Sequence, residues 1–224
     1  MSIDRSTIET DLVAADLARP DDAIALVILA HGAGSNRDAV ILRTMSDVLL
    51  ARGVAVARID LPYRQDRPKG PPSPSKAARD RDGIRAAINA LAPLVDGPLI
   101  IGGHSYGGRQ ASMVVAEGTD GVDGLLLTSY PLHPPGKPER ARTEHLPDIT
   151  IPTLIVHGRS DAFGTSAEFT DAVELFGGPV RLLEIDRADH SLKPDRSGVG
   201  DLTADAVVDW LLPTIADQPP NQTV

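Results

Sequence analysis

The sequence predicts an α/β fold: a mostly parallel central sheet with helices on both faces and no large cap domain. Several short runs, residues 25–30 first among them, are continuously apolar rather than alternating, which is the pattern of strands covered on both faces. These runs alternate with segments of helical period, and repeated β-α-β units of this length specify right-handed crossovers and parallel pairing. The 224 residues, 42% of them hydrophobic and 24% charged, are enough for one sizeable core and short for two. Residues 1–217 are therefore expected to form a single domain, and residues 218–224 (Gln-Pro-Pro-Asn-Gln-Thr-Val) a disordered tail.

Taken in order, the run 25–30 (Ala-Leu-Val-Ile-Leu-Ala) is the first strand and ends at His31-Gly32-Ala33-Gly34. A helix over about 36–52 follows, because Ile41, Met45, Val48 and Leu49 share one face and Gly53 stands where a left-handed cap is wanted. Residues 54–59 make the next strand, 66–75 a Pro-rich loop, and Ile84, Ala87, Ile88 and Leu91 one face of a second helix. Residues 98–103 return as a strand, with a helix after Gly107. Strands at 124–128 and 153–157 flank a Pro-broken excursion; a helix over 166–176, a strand at 180–185 and a helix over 201–212 complete the pattern. Ligands in such sheets bind at the carboxyl ends of the strands.

Charge and composition narrow the function. A formal charge of −9 disfavours a surface that grips phosphate backbones or anionic lipid, so neither nucleic acid nor membrane is an expected partner. The first residues carry Asp4, Arg5, Glu9 and Asp11 rather than a secretory apolar run, and no stretch approaches the length of a membrane span, so a cytoplasmic enzyme is expected. The absence of cysteine excludes disulfides, thiolate nucleophiles and Cys-ligated metals.

The chemistry concentrates where the apolar run ending at Gly103 passes through His104-Ser105-Tyr106-Gly107 into a helix. A serine hydroxyl is a poor nucleophile unless it is exposed to a base. A sharp strand-to-helix turn lifts it from the sheet, and small flanking residues let the two backbone segments approach. An acid and then a histidine must follow later in the chain. Asp161 lies on the loop after the strand at 153–157 and His190 just beyond the strand at 180–185, so both fall at the carboxyl edge. Asp186 and Asp189 are rival acids, but they stand so close to His190 that solvated loop charges are the expectation. His31 and His104 precede Ser105, and His133, His145 and His157 precede Asp161, so His190 alone keeps the order. The oxyanion of a tetrahedral intermediate needs two backbone donors. The amide of Tyr106 is one candidate and that of Ala33 the other, with Gly34 the near alternative. The same Gly32-Ala33-Gly34 turn resembles the start of a dinucleotide fingerprint, but Arg37 occupies the place of the third glycine and would block the close helix–strand contact.

The segments Leu-Ala-His-Gly-Ala-Gly-Ser (29–35), Asp-Leu-Pro-Tyr-Arg (60–64), Gly-Gly-His-Ser-Tyr-Gly-Gly-Arg (102–109), Tyr-Pro-Leu-His-Pro-Pro-Gly-Lys-Pro (130–138) and Pro-Thr-Leu-Ile-Val-His-Gly-Arg-Ser-Asp-Ala-Phe-Gly (152–164) together resemble α/β hydrolases. The closer resemblance is to a dienelactone-hydrolase-like branch that includes a testis-expressed protein and chromatin-complex subunit family with bacterial relatives. It implies the fold and a Ser105–Asp161–His190 triad. In that branch the residue before the serine is often basic and the one after it often methionine, where this chain has His104 and Tyr106. Dienelactone hydrolases proper use cysteine, so lactone activity does not carry over.

The expected activity is hydrolysis of a small carboxylic ester or thioester through an acyl-enzyme on Ser105, with no metal or organic cofactor. Residues 131–152 are too short to enclose a long acyl chain, so an open cleft is expected; Arg109, His133, Lys137 and Arg140 are candidates for its rim, the alternative being ordinary surface charge. The competing reading is a non-catalytic binding or scaffold protein on the same fold. A peptidase is a third reading, disfavoured because there is no room for a domain that restricts access.

Overall fold

In the computed structural model, which describes residues 2–218, the chain builds one eight-stranded sheet in the order β1-β2-β4-β3-β5-β6-β7-β8. Strands β3 (Leu26–Ala30), β4 (Ala55–Asp60), β5 (Leu99–His104), β6 (Gly124–Thr128), β7 (Thr153–Gly158) and β8 (Val180–Ile185) run parallel, and they are the six runs that the sequence predicts. Two further strands, β1 (Ile3–Glu9) and β2 (Ala14–Pro20), extend the β4 edge as an antiparallel hairpin. Sequence patterning does not single them out: β1 is exposed along nearly its whole length and carries a polar majority, so nothing local marks it as half of a sheet. Of the expected disordered tail, all but Gln218 lies outside the described residues.

Continuous apolarity is what a sheet with two covered faces requires. Leu26, Ile28 and Ala30 of β3 pack into one core layer and Val27 and Leu29 into the other; Leu99 and Ile101 oppose Ile100 in β5, and Leu125 and Leu127 oppose Leu126 in β6. Helices α3 (Ala77–Leu91) and α4 (Tyr106–Ala116) cover the first face, and α1 (Val40–Leu50) and α7 (Val199–Ala206) the second. The short helix α2 (Pro62–Asp66) leads into the Pro-rich loop, and another short helix, α6 (Pro194–Ser197), precedes α7.

Helix boundaries depart from the periodic pattern for identifiable reasons. The helix α1 starts at Val40 rather than near 36, because the Asn36 side chain accepts from the Asp38 amide (2.9 Å) and the Arg37 amide is drawn to Asp60 (2.7 Å). It ends at Leu50, two residues short of the expected 52, and the turn that closes it runs through Gly53, whose φ is +81°. Helix α5 (Ser166–Val173) opens on a Thr165–Glu168 capping box and stops before 176, ahead of the Gly177-Gly178 turn, whose backbone lies against Thr150. The last helix widens into a π-turn over Val207–Leu211 and continues through α8 (Leu212–Ala216), where Pro213 has no amide hydrogen to offer the preceding turn. The excursion after β6 contains only two 3₁₀ turns, Pro138–Arg140 and Leu146–Asp148, and His145 anchors it to α4 through Ser112 Oγ (2.8 Å).

Strand order reverses beside β3 and β5: β4 lies outside β3, whereas β6, β7 and β8 extend the other way. At this junction β5 passes β3 so closely that a Cβ on Gly103 would stand 2.1 Å from the Ala30 carbonyl oxygen, and its φ of +149° also calls for glycine. Gly103→Ala is therefore expected to destabilise the fold by about 3 kcal/mol or more, lowering Tm by at least ~6 °C in a thermal melt.

Candidate active site

Directly after β5, Ser105 sits at φ 52°, ψ −115°, a strained conformation for a residue with a side chain, and opens helix α4 as its cap residue. Two contacts hold the strain in place. The Ser105 amide donates to Thr128 O (2.9 Å), and Gly107 lies so close to β3 that a Cβ there would meet Ala30 O at 2.5 Å. The elbow thus presents Ser105 Oγ above the carboxyl edge of the sheet.

Asp161 and His190 reach it from the two strands farthest along the sheet. Asp161 follows β7, and its carboxylate is fully buried: Oδ1 accepts from the Phe163 amide (2.9 Å) and Oδ2 from His190 Nδ1 (2.7 Å). His190 Nε2 stands 2.8 Å from Ser105 Oγ. A carboxylate can only accept, so Nδ1 carries the proton, and the neutral ring leaves Nε2 free to accept from the serine hydroxyl. The ring is stacked on Phe163 at 4.1 Å between centroids. The two loops are pinned together, since Ser160 N donates to Ala188 O (2.8 Å) and a Cβ on Gly158 would meet the same oxygen at 2.6 Å.

The rival acids are engaged elsewhere. Asp189 accepts from Ser191 and pairs with Lys193, and Asp186 pairs with Arg159. The other histidines also have separate places. His31 is buried; its Nε2 accepts from the Leu61 amide (3.2 Å), which leaves Nδ1–H to donate to Gly32 O (2.8 Å). His133 meets Glu168, and His145 meets Ser112. His157 is buried against Phe169 on the closed side of Asp161, with neither ring nitrogen hydrogen-bonded. The His104 ring lies 5.5 Å from that of His190, with Nδ1 3.3 Å from Thr128 Oγ1.

The loop after β3 runs alongside the elbow: a Cβ on Gly32 would stand 3.6 Å from the Cβ of Ser105. Among the described residues, the amides of Ala33, Gly34 and Tyr106 donate no hydrogen bond and are free for a ligand. Beside the site a groove of about 450 Å³ is lined by Ser35, Val40, Ile41, His104, Lys193 and Arg196, among others. None of Arg109, His133, Lys137 and Arg140 lines it. The charges that do come from the segment after His190, which the sequence pattern did not mark because its place over the sheet is set by packing. No group of three or more His, Cys, Asp or Glu side chains among the described residues is arranged to hold a metal ion.

An eight-stranded, mostly parallel sheet carrying a serine on a strand-to-helix elbow defines an α/β hydrolase, and the chain belongs to the family described as the alpha/beta hydrolase domain, which it matches over residues 23–216. Among individual proteins, it is 36% identical over 111 residues to a pimeloyl-[acyl-carrier protein] methyl ester esterase from Neisseria meningitidis; the match spans 48% of this chain and 38% of that protein. Its fold is that of a dienelactone hydrolase from Anabaena variabilis, with a TM-score of 0.73, 22% identity and coverage of 93% of this chain and 99% of that one. A carboxyl esterase from Tuber melanosporum (TM-score 0.72, 14% identity, 96% and 88% covered) and the esterase domain of a Rhodothermus marinus protein (0.68, 20%, 94% and 98%) share it. No helix among the described residues is long and apolar enough to cross a membrane.

Four histidines with lowered proton affinity make the fold acid-sensitive, against His133, whose own is raised by its bond to Pro134 O. Burial lowers the proton affinity of His31, His145 and His157, and burial beside His190 brings that of His104 down to about 3. Below the ordinary histidine value the unfolded chain takes up protons that the folded chain refuses, so stability rises with pH in that window and is lost as pH falls through about 6.5. A Tm lower by at least ~4 °C at pH 5 than at pH 7 is expected from calorimetry, corresponding to a loss on the order of 2 kcal/mol.

Proposed function

We propose that this protein is a serine esterase that hydrolyses small carboxylic esters or thioesters through an acyl-enzyme on Ser105. The observation that carries the reading is the position of the His190 ring, 2.7 Å from the Asp161 carboxylate on one side and 2.8 Å from Ser105 Oγ on the other. In this mechanism Ser105 Oγ attacks the substrate carbonyl while its proton passes to His190 Nε2. The imidazolium, held by Asp161, returns that proton to the departing alcohol or thiol as its bond to the acyl carbon breaks. Water then repeats the sequence on the acyl-serine, with His190 again the base, and the free acid leaves. The amides of Tyr106 and Ala33 receive the oxyanion in both halves, a contribution of about 2.7–4 kcal/mol per donor in serine hydrolases.

The groove supports a small substrate. Its volume is at the lower end for ligand pockets, Val40 and Ile41 give it an apolar wall, and no lid domain among the described residues stands over it. The curated esterase relative is consistent with ester chemistry. The motifs at 60–64, 130–138 and 152–164 support the narrower dienelactone-hydrolase-like branch, and a cytoplasmic place of action fits this reading.

Fluorophosphonate labelling followed by intact-mass analysis tests the proposal. Wild type is expected to gain one adduct, and Ser105→Ala and His190→Ala to gain none while keeping the wild-type circular dichroism. Folded wild type that does not label would instead favour a binding or scaffold role. Asp161→Asn is expected to lower kcat on a p-nitrophenyl ester by about 10³- to 10⁴-fold. Across acyl lengths, kcat/KM is expected to be highest for acetyl to butyryl esters and to fall for octanoyl and longer chains.

A further inference from the structure

We propose that Asp80 is a positioning residue that couples the two backbone donors of the oxyanion site, through the Tyr106 hydroxyl on one side and Tyr63 on the other. The inference rests on the serine-esterase reading and concerns how that site keeps its shape. Asp80 lies in the first turn of α3, distant in sequence from every motif of the site, and is 1% exposed. A carboxylate in such a place is costly unless strong donors meet it. Two do: Oδ2 accepts from the Tyr106 hydroxyl (2.7 Å) and Oδ1 from the Tyr63 amide (3.0 Å).

Each donor leads to one half of the oxyanion site. Tyr106 follows Ser105, and its own amide is the first proposed donor, so the bond from its hydroxyl to α3 restrains the residue that carries that amide. Tyr63 opens the path to the second. Its hydroxyl lies 3.0 Å from Ala33 O and 3.2 Å from Gly32 O, where it donates to this pair of carbonyls. Its neighbour Arg64, also buried, donates from Nε to Ser35 O (2.7 Å) and from Nη2 to Ala33 O (3.4 Å). In a trans peptide the carbonyl and the following amide point in opposite directions. Holding Gly32 O and Ala33 O toward Tyr63 therefore turns the amides of Ala33 and Gly34 the other way. The rings of Tyr63 and Tyr106 also meet edge to face, 5.8 Å apart, so the two arms brace each other.

The arrangement explains two features of the sequence that catalysis by Ser105, Asp161 and His190 leaves unused. One is the Asp-Leu-Pro-Tyr-Arg segment at 60–64, whose last two residues grip the loop. The other is tyrosine at 106, whose hydroxyl gives the Asp80 carboxylate a donor that phenylalanine in the same place would lack. Burial raises the proton affinity of Asp80 while the Tyr106 hydroxyl opposes the shift, and burial together with Asp80 holds the Tyr106 hydroxyl protonated and donating.

The test compares steady-state kinetics on p-nitrophenyl acetate, and inhibition by a trifluoromethyl ketone that forms a tetrahedral adduct, for wild type, Tyr106→Phe, Asp80→Asn and the double variant. Tyr106→Phe removes one oxygen and carries the test even if Asp80→Asn does not fold. It is expected to lower kcat roughly 10-fold with KM within about 2-fold, and to weaken the ketone in parallel, because the loss falls on the transition state. The double variant is expected to be no worse than the more impaired single one. An unchanged kcat in folded Tyr106→Phe, or a loss in KM alone, overturns the coupling while leaving the esterase reading intact. Wild type that neither labels with fluorophosphonate nor turns over esters overturns both.

Discussion

The close passage of β5 against β3 is the constraint on which the rest of the site depends. Gly103 and Gly107 leave no room for a side chain against the Ala30 backbone, and between them Ser105 is forced to a positive φ. That strain would relax if the elbow were free; it persists because the strand on one side and the helix on the other are locked into the two core layers. The same passage brings the loop after β3 alongside Ser105, so one contact places both the hydroxyl and the free amides beside it.

Around this junction, the buried carboxylates and the buried Arg64 are matched by hydrogen-bond partners. Asp161 is closed off from water but accepts from Phe163 and His190; Asp80 is buried but accepts from Tyr63 and Tyr106; Arg64 is buried but donates to four carbonyl oxygens. Such networks are rigid because losing one partner leaves the other unsatisfied in a poorly hydrated place. His157 is packed beside Asp161 with both ring nitrogens unpartnered, and its burial lowers its proton affinity. Exposed carboxylates such as Asp186 have no such restraint, and pairing with Arg159 at the surface holds a side chain only loosely.

The six parallel strands were legible because burial on both faces demands unbroken apolar runs, a local property of the chain. The N-terminal hairpin was not, since β1 is exposed and β2 mixes Asp16 and Arg19 with small residues; they join the sheet because β4 offers an open edge. Helix α1 starts four residues later than its helical period suggests, because that period says nothing of Asn36 folding back on its own backbone or of Asp60 drawing in the Arg37 amide. Asp80 was illegible for a related reason. A charged residue in the first turn of a helix reads as solvated, and nothing near it in the chain announces that α4 will cover it.

By itself the sequence determined the fold class, the elbow at Ser105 and the order in which an acid and a base could follow it, because these rest on periodicity, glycine placement and chain order. Only the tertiary structure decided that Asp161 rather than Asp189 lies against His190, that the groove is bordered by Lys193 and Arg196 rather than by Lys137 and Arg140, and that Asp80 joins Tyr63 to Tyr106. Those outcomes depend on which loops the strand order brings together at the carboxyl edge of the sheet. That order is set by the packing of whole layers and by no local stretch of residues.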